Sequence, residues 1–255
     1  MLTEATIDRL NAMKLHGMAE GFRRWCEQGD RGIEAADLLG MLADAEWSAR
    51  ENKKLSHRLR RAKFRLSAAC IEDVDYRPTR GLAKSRVLEL ATSRWITEKR
   101  NLIVTGATGT GKSYLACALG QKACRDGHTV LYLRPSRLFD LLYQAHGDGT
   151  YRRVLARIAR TQLLIIDDFA LEPLDAEARR NLLEILEDRY GASSTLVTSQ
   201  LDPKNWHGVI GDATIADAVL DRLVHNAERI KLAGESLRRI QPSGSGRKEG
   251  ATSRK

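Results

Sequence analysis

The stretch NLIVTGATGTGKSYL, residues 101–115, joins an apolar run to a Gly-rich loop that closes on Lys-Ser. Its part GATGTGKS, residues 106–113, matches the pattern G-x-x-x-x-G-K-[ST] at every fixed position. The loop lies between a predicted strand and a predicted helix, which is the context that this pattern requires. Glycines let backbone N–H groups curve around phosphate oxygens, because a Cβ would block that approach. The stretch therefore predicts a loop that binds the phosphates of a nucleotide.

The residues of this loop have distinct expected roles. Lys112 is expected to reach the β- and γ-phosphates, and the Ser113 hydroxyl to be a ligand of Mg²⁺. The helix that follows directs its positive N-terminal end toward the same anion. The predicted nucleotide-binding residues are Gly106, Ala107, Thr108, Gly109, Thr110, Gly111, Lys112, Ser113 and Tyr114.

A second signal for nucleotide chemistry is the apolar run LLIIDD, residues 163–168, which ends in two carboxylates. Such a run is typical of a strand that is buried on both faces. Asp167 is then expected to hold the water shell of a Mg²⁺ ion at the end of that strand. Asp168 stands where many ATPases place a glutamate that polarises the attacking water. The alternative for Asp168 is a helix cap or another structural carboxylate.

Around these motifs, apolar strand-like runs alternate with helical segments. The predicted strands are residues 102–105, 129–133, 163–168, 194–199 and 228–232, and the segments between them have helical patterns. The strand before the Gly-rich loop is itself preceded by one predicted helix, LAKSRVLELATSRWI, residues 82–96. Alternation of this kind predicts an α/β fold, a parallel sheet flanked by helices.

The rest of the chain divides by composition. Residues 1–70 are predicted to form a small all-helical domain, in which LNAMKLHGMAEGFRRW, residues 10–25, has the apolar periodicity of a single helix. Residues 71–81 contain a Pro and a Gly and are predicted to be a linker. Residues 82–240 are expected to form the nucleotide-binding domain. Residues 241–255 contain few apolar side chains and are predicted to be a disordered basic tail.

Positive charge is concentrated in one segment of the chain. The net charge is +9, and residues 50–65 hold eight Lys/Arg against one Glu. A basic segment on a near-neutral body suggests contact with a polyanion such as nucleic acid. The alternative is an ordinary solvated helical face. The candidate DNA contacts in this segment are Lys53, Lys54, Arg58, Arg60 and Arg61.

Other classes of protein are disfavoured by the sequence. No stretch approaches the roughly 18–20 apolar residues that a membrane span needs, and the N-terminus has early acidic residues and no apolar signal core. The sequence therefore predicts a cytoplasmic protein without membrane contact. The four cysteines (Cys26, Cys70, Cys117 and Cys124) lack the spacing of metal ligands, and the six histidines form no cluster. A GTPase is disfavoured because no N-K-x-D string occurs. A small-molecule kinase remains a third class, which transfer of phosphate to a small acceptor would reveal.

Three further features favour an oligomeric ATPase. The strand STLVTS ends in Thr198 and Ser199, followed by Gln200, which are polar groups where a γ-phosphate is sensed. Arg222 lies on a helix well beyond the nucleotide strands, a position from which an arginine reaches the site of a neighbouring subunit in such ATPases. The alternative is that Arg222 pairs with Asp217 or Asp221 on its own helix. In GESLRR, residues 234–239, Arg238 or Arg239 is a candidate contact to the γ-phosphate in cis.

The order GATGTGKS, LLIIDDF, TLVTSQL, ADAVLDRLVHNAERI and GESLRR resembles the IstB-type insertion-sequence helper ATPases. These are relatives of the DnaC-type helicase loaders in the initiator clade of the AAA+ superfamily. The resemblance extends from RLNAMKLHGMAEGF, residues 9–22, to about Arg239. It differs from the usual family pattern at Ala170, where glycine is common, and in the less aromatic segment before residue 82, where adenine contacts are expected.

The resemblance implies a P-loop AAA+ core behind the helical domain, with ATP and Mg²⁺ as cofactors. It implies that Lys112, Ser113 and Asp167 bind Mg-ATP, that Asp168 handles water, that Ser199 is the sensor and that Arg222 acts in trans. It also implies oligomers that assemble on duplex DNA without sequence preference and deliver a cognate transposase. The alternative function is a DnaC-like replicative helicase loader.

The initiator clade carries an extra helical segment before the acidic strand, and this segment contacts nucleic acid. Residues 136–160 occupy that place here. The candidate phosphate contacts in it are Arg137, Arg152, Arg153 and Arg157, although a solvated helical face is again the alternative. Such contacts are insensitive to sequence and sensitive to salt.

Overall fold

A computed structural model describes residues 2–29 and 32–237 of the chain. The chain divides into two compact units, Met1–Lys63 and Phe64–Lys255. The predicted basic tail, residues 241–255, lies outside the described residues. Among residues 2–29 and 32–237, no helix is both long enough and apolar enough to cross a membrane.

The boundary between the units differs from the sequence prediction, which ended the helical domain at residue 70 and placed a linker at 71–81. The structure assigns residues 64–81 to the second unit. Phe64 explains the difference, because a Cβ built on Gly120 would lie 2.6 Å from its ring, so that the ring fills the space that this glycine leaves. The Gln121 side chain donates to the Ser67 carbonyl at 2.8 Å. Packing and hydrogen bonds thus hold this segment against the sheet domain.

The first unit consists of three helices, α1 (Leu2–Ala12), α2 (His16–Gln28) and α3 (Ala35–Ala62). The carboxylate of Glu46 on α3 accepts hydrogen bonds from the backbone N–H groups of Gly17 (2.7 Å) and Met18 (3.2 Å) at the start of α2. The Arg50 guanidinium, 2.6 Å away, holds the pKa of Glu46 below its ordinary value. Glu46 therefore caps α2 from a different helix, which replaces the missing local cap.

The single helix predicted over residues 10–25 is wrong. Helix α1 ends at Ala12 and α2 begins at His16, with Lys14 at a positive φ of 61°. Met13, which the helical pattern placed on the apolar side, is 60% exposed at this break. Apolar periodicity alone does not register the break, because the two helices carry nearly continuous apolar spacing across the turn.

The second unit is built on a sheet of five strands, β1 (Asn101–Gly106), β2 (Val130–Leu133), β3 (Leu163–Phe169), β4 (Ser194–Ser199) and β5 (Ala227–Leu232). The strand order is β2-β3-β4-β1-β5, and every neighbouring pair is parallel. The helices are α4 (Lys84–Leu90), α5 (Arg94–Thr97), α6 (Lys112–Arg125), α7 (Pro135–Gly147), α8 (Tyr151–Ala159), α9 (Ala176–Arg189), α10 (Trp206–Ile210) and α11 (Ala213–Val224). Short 3-10 turns occupy Pro78–Arg80 and Pro203–Asn205. The predicted parallel sheet with flanking helices is confirmed.

The two faces of the sheet are covered by different helices. Gly120 of α6 lies against Ile165 of β3 on one face, where a Cβ on this glycine would be 2.8 Å from the isoleucine side chain. Leu164 and Ile166 point to the other face, into the core that α7 to α11 build. Alternate side chains of β3 are thus buried on opposite faces of the sheet, which is why the sequence of β3 is a continuous apolar run.

Two local predictions for this unit have different outcomes. Asp175 is confirmed as the N-cap of α9, since its carboxylate accepts from the Ala178 N–H at 2.8 Å. The single helix predicted over residues 82–96 is wrong, because α4 and α5 are separate. Ser93 stands between them at a positive φ of 58°, and its hydroxyl donates to the Asp126 carboxylate at 2.7 Å. A tertiary hydrogen bond thus accompanies the break.

We expect Gly17→Ala to destabilise the protein by about 1–3 kcal/mol, since an added Cβ would lie 2.6 Å from the Ala45 carbonyl and separate α2 from α3. Gly40→Ala is the matched control on α3, because a Cβ there meets nothing within 4 Å. It should stabilise the protein by about 0.5–1 kcal/mol through helix propensity. Urea denaturation of the three proteins measures both changes. Equal stability of the two variants would contradict the close packing of α2 on α3.

Candidate nucleotide-binding site

The Gly-rich loop lies between the carboxyl end of β1 and the start of α6. Since all five strands are parallel, the carboxyl ends of β3 and β4 lie along the same edge of the sheet as this loop. Ligands of open α/β sheets bind at this edge. The topology therefore brings the loop, the Asp167–Asp168 pair and the end of β4 together, as the sequence predicted.

The backbone of the loop requires glycine at two positions. Gly109 and Gly111 have φ of 85° and 89°, values that favour glycine. A Cβ on Gly109 would also lie 2.1 Å from the Ser236 hydroxyl, and the Leu237 N–H donates to the Gly109 carbonyl at 3.0 Å. The segment before residue 238 therefore packs directly on the loop. Arg238 itself lies outside the described residues.

The start of α6 has the features of a phosphate site. Its N-cap is Gly111, and no side chain caps the helix. The Lys112 ammonium donates to the carbonyls of Gly106 (2.8 Å) and Ala107 (2.9 Å), so it lies over the concave side of the loop. Ser113 is in the first turn beside it. A cation and an uncapped helix N-terminus at one glycine cradle fit the phosphates of a nucleotide.

Asp167 is the most deeply buried carboxylate of the site, with no exposed surface. Its two oxygens accept hydrogen bonds from the Tyr132 hydroxyl (2.5 Å) and the Thr198 hydroxyl (2.6 Å). Burial and the Asp167 carboxylate together raise the pKa of Tyr132 strongly, so the phenol stays a proton donor. Neighbouring strands on both sides thus fix the orientation of Asp167.

Asp168 has an unusual backbone, with a positive φ of 61°, and the Thr198 hydroxyl accepts from its N–H at 2.9 Å. Its carboxylate is 3.1 Å from the Arg134 guanidinium and 3.9 Å from that of Arg65. The Asp168 carboxylate is therefore directed at two guanidinium groups, whereas the Asp167 carboxylate bonds to hydroxyls of β2 and β4. Ala170 also has a positive φ of 63°, which explains why glycine suits this position.

The Ser199 hydroxyl, at the end of β4, does not lie where the predicted sensor of a γ-phosphate would be. Ser199 is fully buried, and its hydroxyl donates to the Phe169 carbonyl at 2.8 Å while accepting from the Leu201 N–H at 3.1 Å. A hydroxyl has one proton, and this one is already used within the sheet. The side-chain oxygen Oε1 of Gln200 instead accepts from the Thr108 hydroxyl of the loop at 2.7 Å. Gln200, rather than Ser199, lies at the phosphate loop.

The side chains of Tyr114 and Thr110 both bond to the protein itself, Tyr114 outside the loop and Thr110 within it. The Tyr114 hydroxyl lies 3.4 Å from the Cys70 amide nitrogen, so the phenol turns toward the segment after residue 63 and leaves only its backbone for a nucleotide. Thr110 is buried, and its hydroxyl donates to the Ala107 carbonyl at 2.9 Å, which closes the loop on itself.

Arg222 lies at the opposite edge of the sheet. Its backbone carbonyl accepts from the Asn101 side chain at 2.9 Å, and Asn101 begins β1 while the phosphate loop follows its end. A strand of this length spans about 17 Å, so Arg222 cannot reach the loop of its own chain. Its guanidinium pairs with Glu187 of α9 at 2.7 Å. The ion partner therefore lies on another helix, which differs from the sequence alternative of a pair within α11.

Sequence reasoning missed three cations near the site. Arg134 directly follows β2, a position at the same sheet edge that could have been found from the strand boundary alone. Arg65 was counted only as part of a basic segment, although its guanidinium faces Asp168. Arg80 donates to the Thr110 carbonyl of the phosphate loop at 2.7 Å, and no sequence signal marks it.

All the candidate DNA-binding residues are exposed except Arg58, which is half-buried. Arg137 lies on α7 and Arg152, Arg153 and Arg157 lie on α8, and none of them is ion-paired with a carboxylate in the described part of the chain. In the first unit, the basic residues follow one another along the last turns of α3, where Lys54 pairs with Glu51 at 2.8 Å. The other members of this second group are Lys53, Arg58, Arg60 and Arg61.

This geometry can be compared with known proteins. The family model described as IstB-like ATP binding protein matches residues 8–245. The chain belongs to this family. An insertion sequence ATP-binding protein, so named, from Sinorhizobium fredii is 53% identical over 94% of this chain and 98% of its own length. Another, from the insertion sequence IS1162 of Pseudomonas fluorescens, is 40% identical over 84% of this chain and 92% of its own.

Solved structures support the fold of this IstB-like protein. The DnaC helicase loader matches with a TM-score of 0.55 at 18% identity, over 64% of this chain and 96% of that one. DnaI matches with a TM-score of 0.56 at 21% identity, over 65% of this chain and 92% of that one. DnaA bound to AMPPCP and single-stranded DNA matches with a TM-score of 0.56 at 17% identity, over 66% of this chain and 50% of that one. At these identities the likeness shows the fold alone, and it confirms the predicted α/β fold with a parallel sheet. The resemblance to the IstB-type proteins is confirmed by the family model.

We expect Thr198→Val to weaken the site, because it removes the hydroxyl that donates to Asp167 and accepts from the Asp168 N–H. Leaving these buried groups unsatisfied should lower the free energy of unfolding by about 1–3 kcal/mol. Thr198→Ser keeps the hydroxyl and is the matched control. Thermal denaturation measures the difference. A valine variant as stable as the serine variant would show that this hydroxyl is not needed to hold the two carboxylates.

Proposed function

We propose that this IstB-like ATP binding protein is a transposition helper that hydrolyses ATP, assembles on duplex DNA and recruits a transposase. The observation that carries the proposal is the division of the ATPase machinery between two edges of one domain. The phosphate loop and the acidic pair lie at one edge, and Arg222 lies at the other. A complete site then needs a second copy of the chain.

The residues present fit Mg-ATP. Gly106–Ser113 would hold the phosphates, with the uncapped start of α6 and the Lys112 ammonium directed at them. Ser113 and, through water, Asp167 would hold Mg²⁺. Among the residues that the structure describes, no group of three acidic, histidine or cysteine side chains forms a metal cluster. That fits an ion which takes most of its ligands from phosphates and water. The bound Mg²⁺ would supply neutralisation of the charge that develops on the phosphates.

Asp168 is proposed to orient the attacking water. Its carboxylate lies at the carboxyl end of β3, and the residue has a positive φ of 61°. Two cations face this carboxylate, the Arg134 guanidinium at 3.1 Å and the Arg65 guanidinium at 3.9 Å. Gln200, which contacts Thr108 of the loop, replaces Ser199 in our proposal as the group that senses the γ-phosphate.

DNA binding is proposed for α7 and α8, which lie between β2 and β3. Four exposed arginines on these helices form no salt bridge among the described residues, so their guanidinium groups are accessible to phosphates. The DnaA structure with a related fold was determined with single-stranded DNA. We propose duplex DNA for this chain, because its relatives are named after insertion sequences, which are DNA elements.

The transposase is the proposed protein partner, and a replicative helicase is the alternative. The helicase-loader alternative is supported by the fold shared with DnaC and DnaI. The sequence relatives that cover most of the chain are named for insertion sequences, which favours the transposase. Pull-down with the cognate transposase and with the replicative helicase of the same cell, each with ATP, separates the two. Binding of the helicase alone would replace our proposal.

We expect Arg222→Ala to bind ATP as the wild type does and to reduce turnover by a factor on the order of 10³ or more. The reason is that Arg222 acts on the site of a neighbouring subunit. Steady-state ATPase rates over a range of protein concentrations measure the effect, and wild-type turnover per subunit should rise with concentration. The control is Arg180→Ala, an exposed arginine of α9, which should keep the wild-type rate.

Two results would argue against this role of Arg222. One is a wild-type turnover that does not depend on protein concentration while the protein is monomeric. The other is full activity of Arg222→Ala. Lys112→Ala, which should not bind ATP, sets the background rate for these measurements.

We expect replacement of the four arginines of α7 and α8 by glutamine to weaken duplex binding equally for unrelated sequences. The slope of log K against log salt should fall by about 0.9 for each phosphate that the variant no longer neutralises. Fluorescence anisotropy with two duplexes between about 50 and 200 mM salt measures both quantities. The control is the pair Arg86→Gln and Arg94→Gln, two arginines that are ion-paired on α4 and α5.

A second variant, with Lys53, Lys54, Arg60 and Arg61 replaced by glutamine, tests α3 separately. A lower salt slope in this variant would assign α3 to DNA, and an unchanged slope would assign its charge to a protein partner or to solvent. If neither variant changes the slope, DNA binding by these helices is excluded.

A further inference from the structure

Arg80 is a buried cation beside the phosphate loop. The residue is 5% exposed. One terminal nitrogen donates to the Thr110 carbonyl at 2.7 Å, and the other donates to the Asp75 carbonyl. The Nε atom is buried and has no hydrogen-bond partner among the described residues. Hydrogen bonds to neutral backbone carbonyls offset only part of the desolvation free energy of a buried guanidinium.

No carboxylate among the described residues bonds to this cation. The Asp75 carboxylate, which lies nearby, accepts hydrogen bonds from the Nε (2.8 Å) and the backbone N–H (3.0 Å) of Arg77, and a terminal nitrogen of Arg77 forms an ion pair with it at 2.7 Å. Burial lowers the pKa of Arg80, and the pull of Asp75 does not offset it. The charge of Arg80 is therefore only partly compensated by the protein.

The position of Arg80 is fixed from three sides. A Cβ on Gly111 would lie 2.6 Å from its terminal nitrogen, so the guanidinium lies against the N-cap of α6. Its own carbonyl accepts from the Ala233 N–H at 2.9 Å. Ala233 begins a segment, residues 233–237, that we call the strap. At its end, the Leu237 N–H donates to the Gly109 carbonyl at 3.0 Å. Arg80, the phosphate loop and the strap thus form one hydrogen-bonded network.

We propose that Arg80 is a nucleotide-binding residue outside the phosphate-loop motif. The phosphates of the bound nucleotide supply the negative charge that Arg80 lacks, and its guanidinium, which lies against the N-cap of α6, adds a second cation to the phosphate loop. The proposal rests on the proposed function as an ATP-binding ATPase and adds to it a cation that the sequence motif does not contain. Lys112 and Arg80 would approach the phosphates from different sides of the loop.

The test compares Arg80→Gln, Arg80→Lys and Arg94→Gln, the last being a mostly exposed arginine that is paired with Glu98. Calorimetric titration with Mg-ATP and Mg-ADP gives the affinities, and thermal denaturation without and with nucleotide gives the stabilities. Arg80→Gln should reduce the affinity for both nucleotides about tenfold or more. Its stability without nucleotide should be equal to or above that of the wild type, because an incompletely compensated buried charge is removed.

Arg80→Lys retains the positive charge without the planar guanidinium group. It should bind Mg-ATP and Mg-ADP more tightly than Arg80→Gln and less tightly than the wild type. An affinity of Arg80→Gln within about twofold of the wild type, a change of under half a kcal/mol, would overturn the proposal. So would a large loss of stability without nucleotide, or a lysine variant that binds no better than the glutamine variant, since these are the marks of a structural clamp. If the wild type itself failed to bind Mg-ATP, the proposed function would fail first, and that result is distinct from all of these.

Discussion

The buried carboxylate of Asp167 is the constraint on which the site depends. A carboxylate with no exposed surface must have hydrogen-bond donors, because an unpaired buried charge is costly. Tyr132 of β2 and Thr198 of β4 supply them at 2.5 and 2.6 Å. Since β3 lies between these strands, the requirement of one side chain aligns the carboxyl ends of three strands. The same Thr198 hydroxyl then fixes the backbone of Asp168.

The phosphate loop is supported from outside its own motif. Its tip contacts Gln200 after β4, its middle contacts Arg80, and the strap 233–237 lies on Gly109. These three supports come from segments that are far apart in sequence and are brought together by the order of the strands. The phosphate loop is therefore held in part by the segments that follow β4 and β5.

At the opposite edge of the sheet, the contacts of Arg222 fix its position. Arg222 is held there by the Asn101 side chain at its backbone and by Glu187 at its guanidinium. Nearby, the buried Arg189 donates to the carbonyls of Ile158 and Thr161 at 2.7 Å, and its burial lowers its pKa to about 9. A rigid edge of this kind would present Arg222 in a fixed position to a neighbouring copy. The proposal that the site is shared between subunits rests on this separation of the two edges.

The phosphate loop, the acidic strand and the parallel sheet follow from the amino-acid sequence, because they are local patterns whose spacing is imposed by backbone geometry. The cap of α9 by Asp175 belongs to the same class. Three other features became visible only in the folded chain. Gln200 rather than Ser199 contacts the loop, residues 64–81 belong to the sheet domain, and Arg80 lies against the phosphate loop. These are contacts between distant segments, and no local spacing encodes which hydroxyl or guanidinium is left free once neighbouring strands have paired.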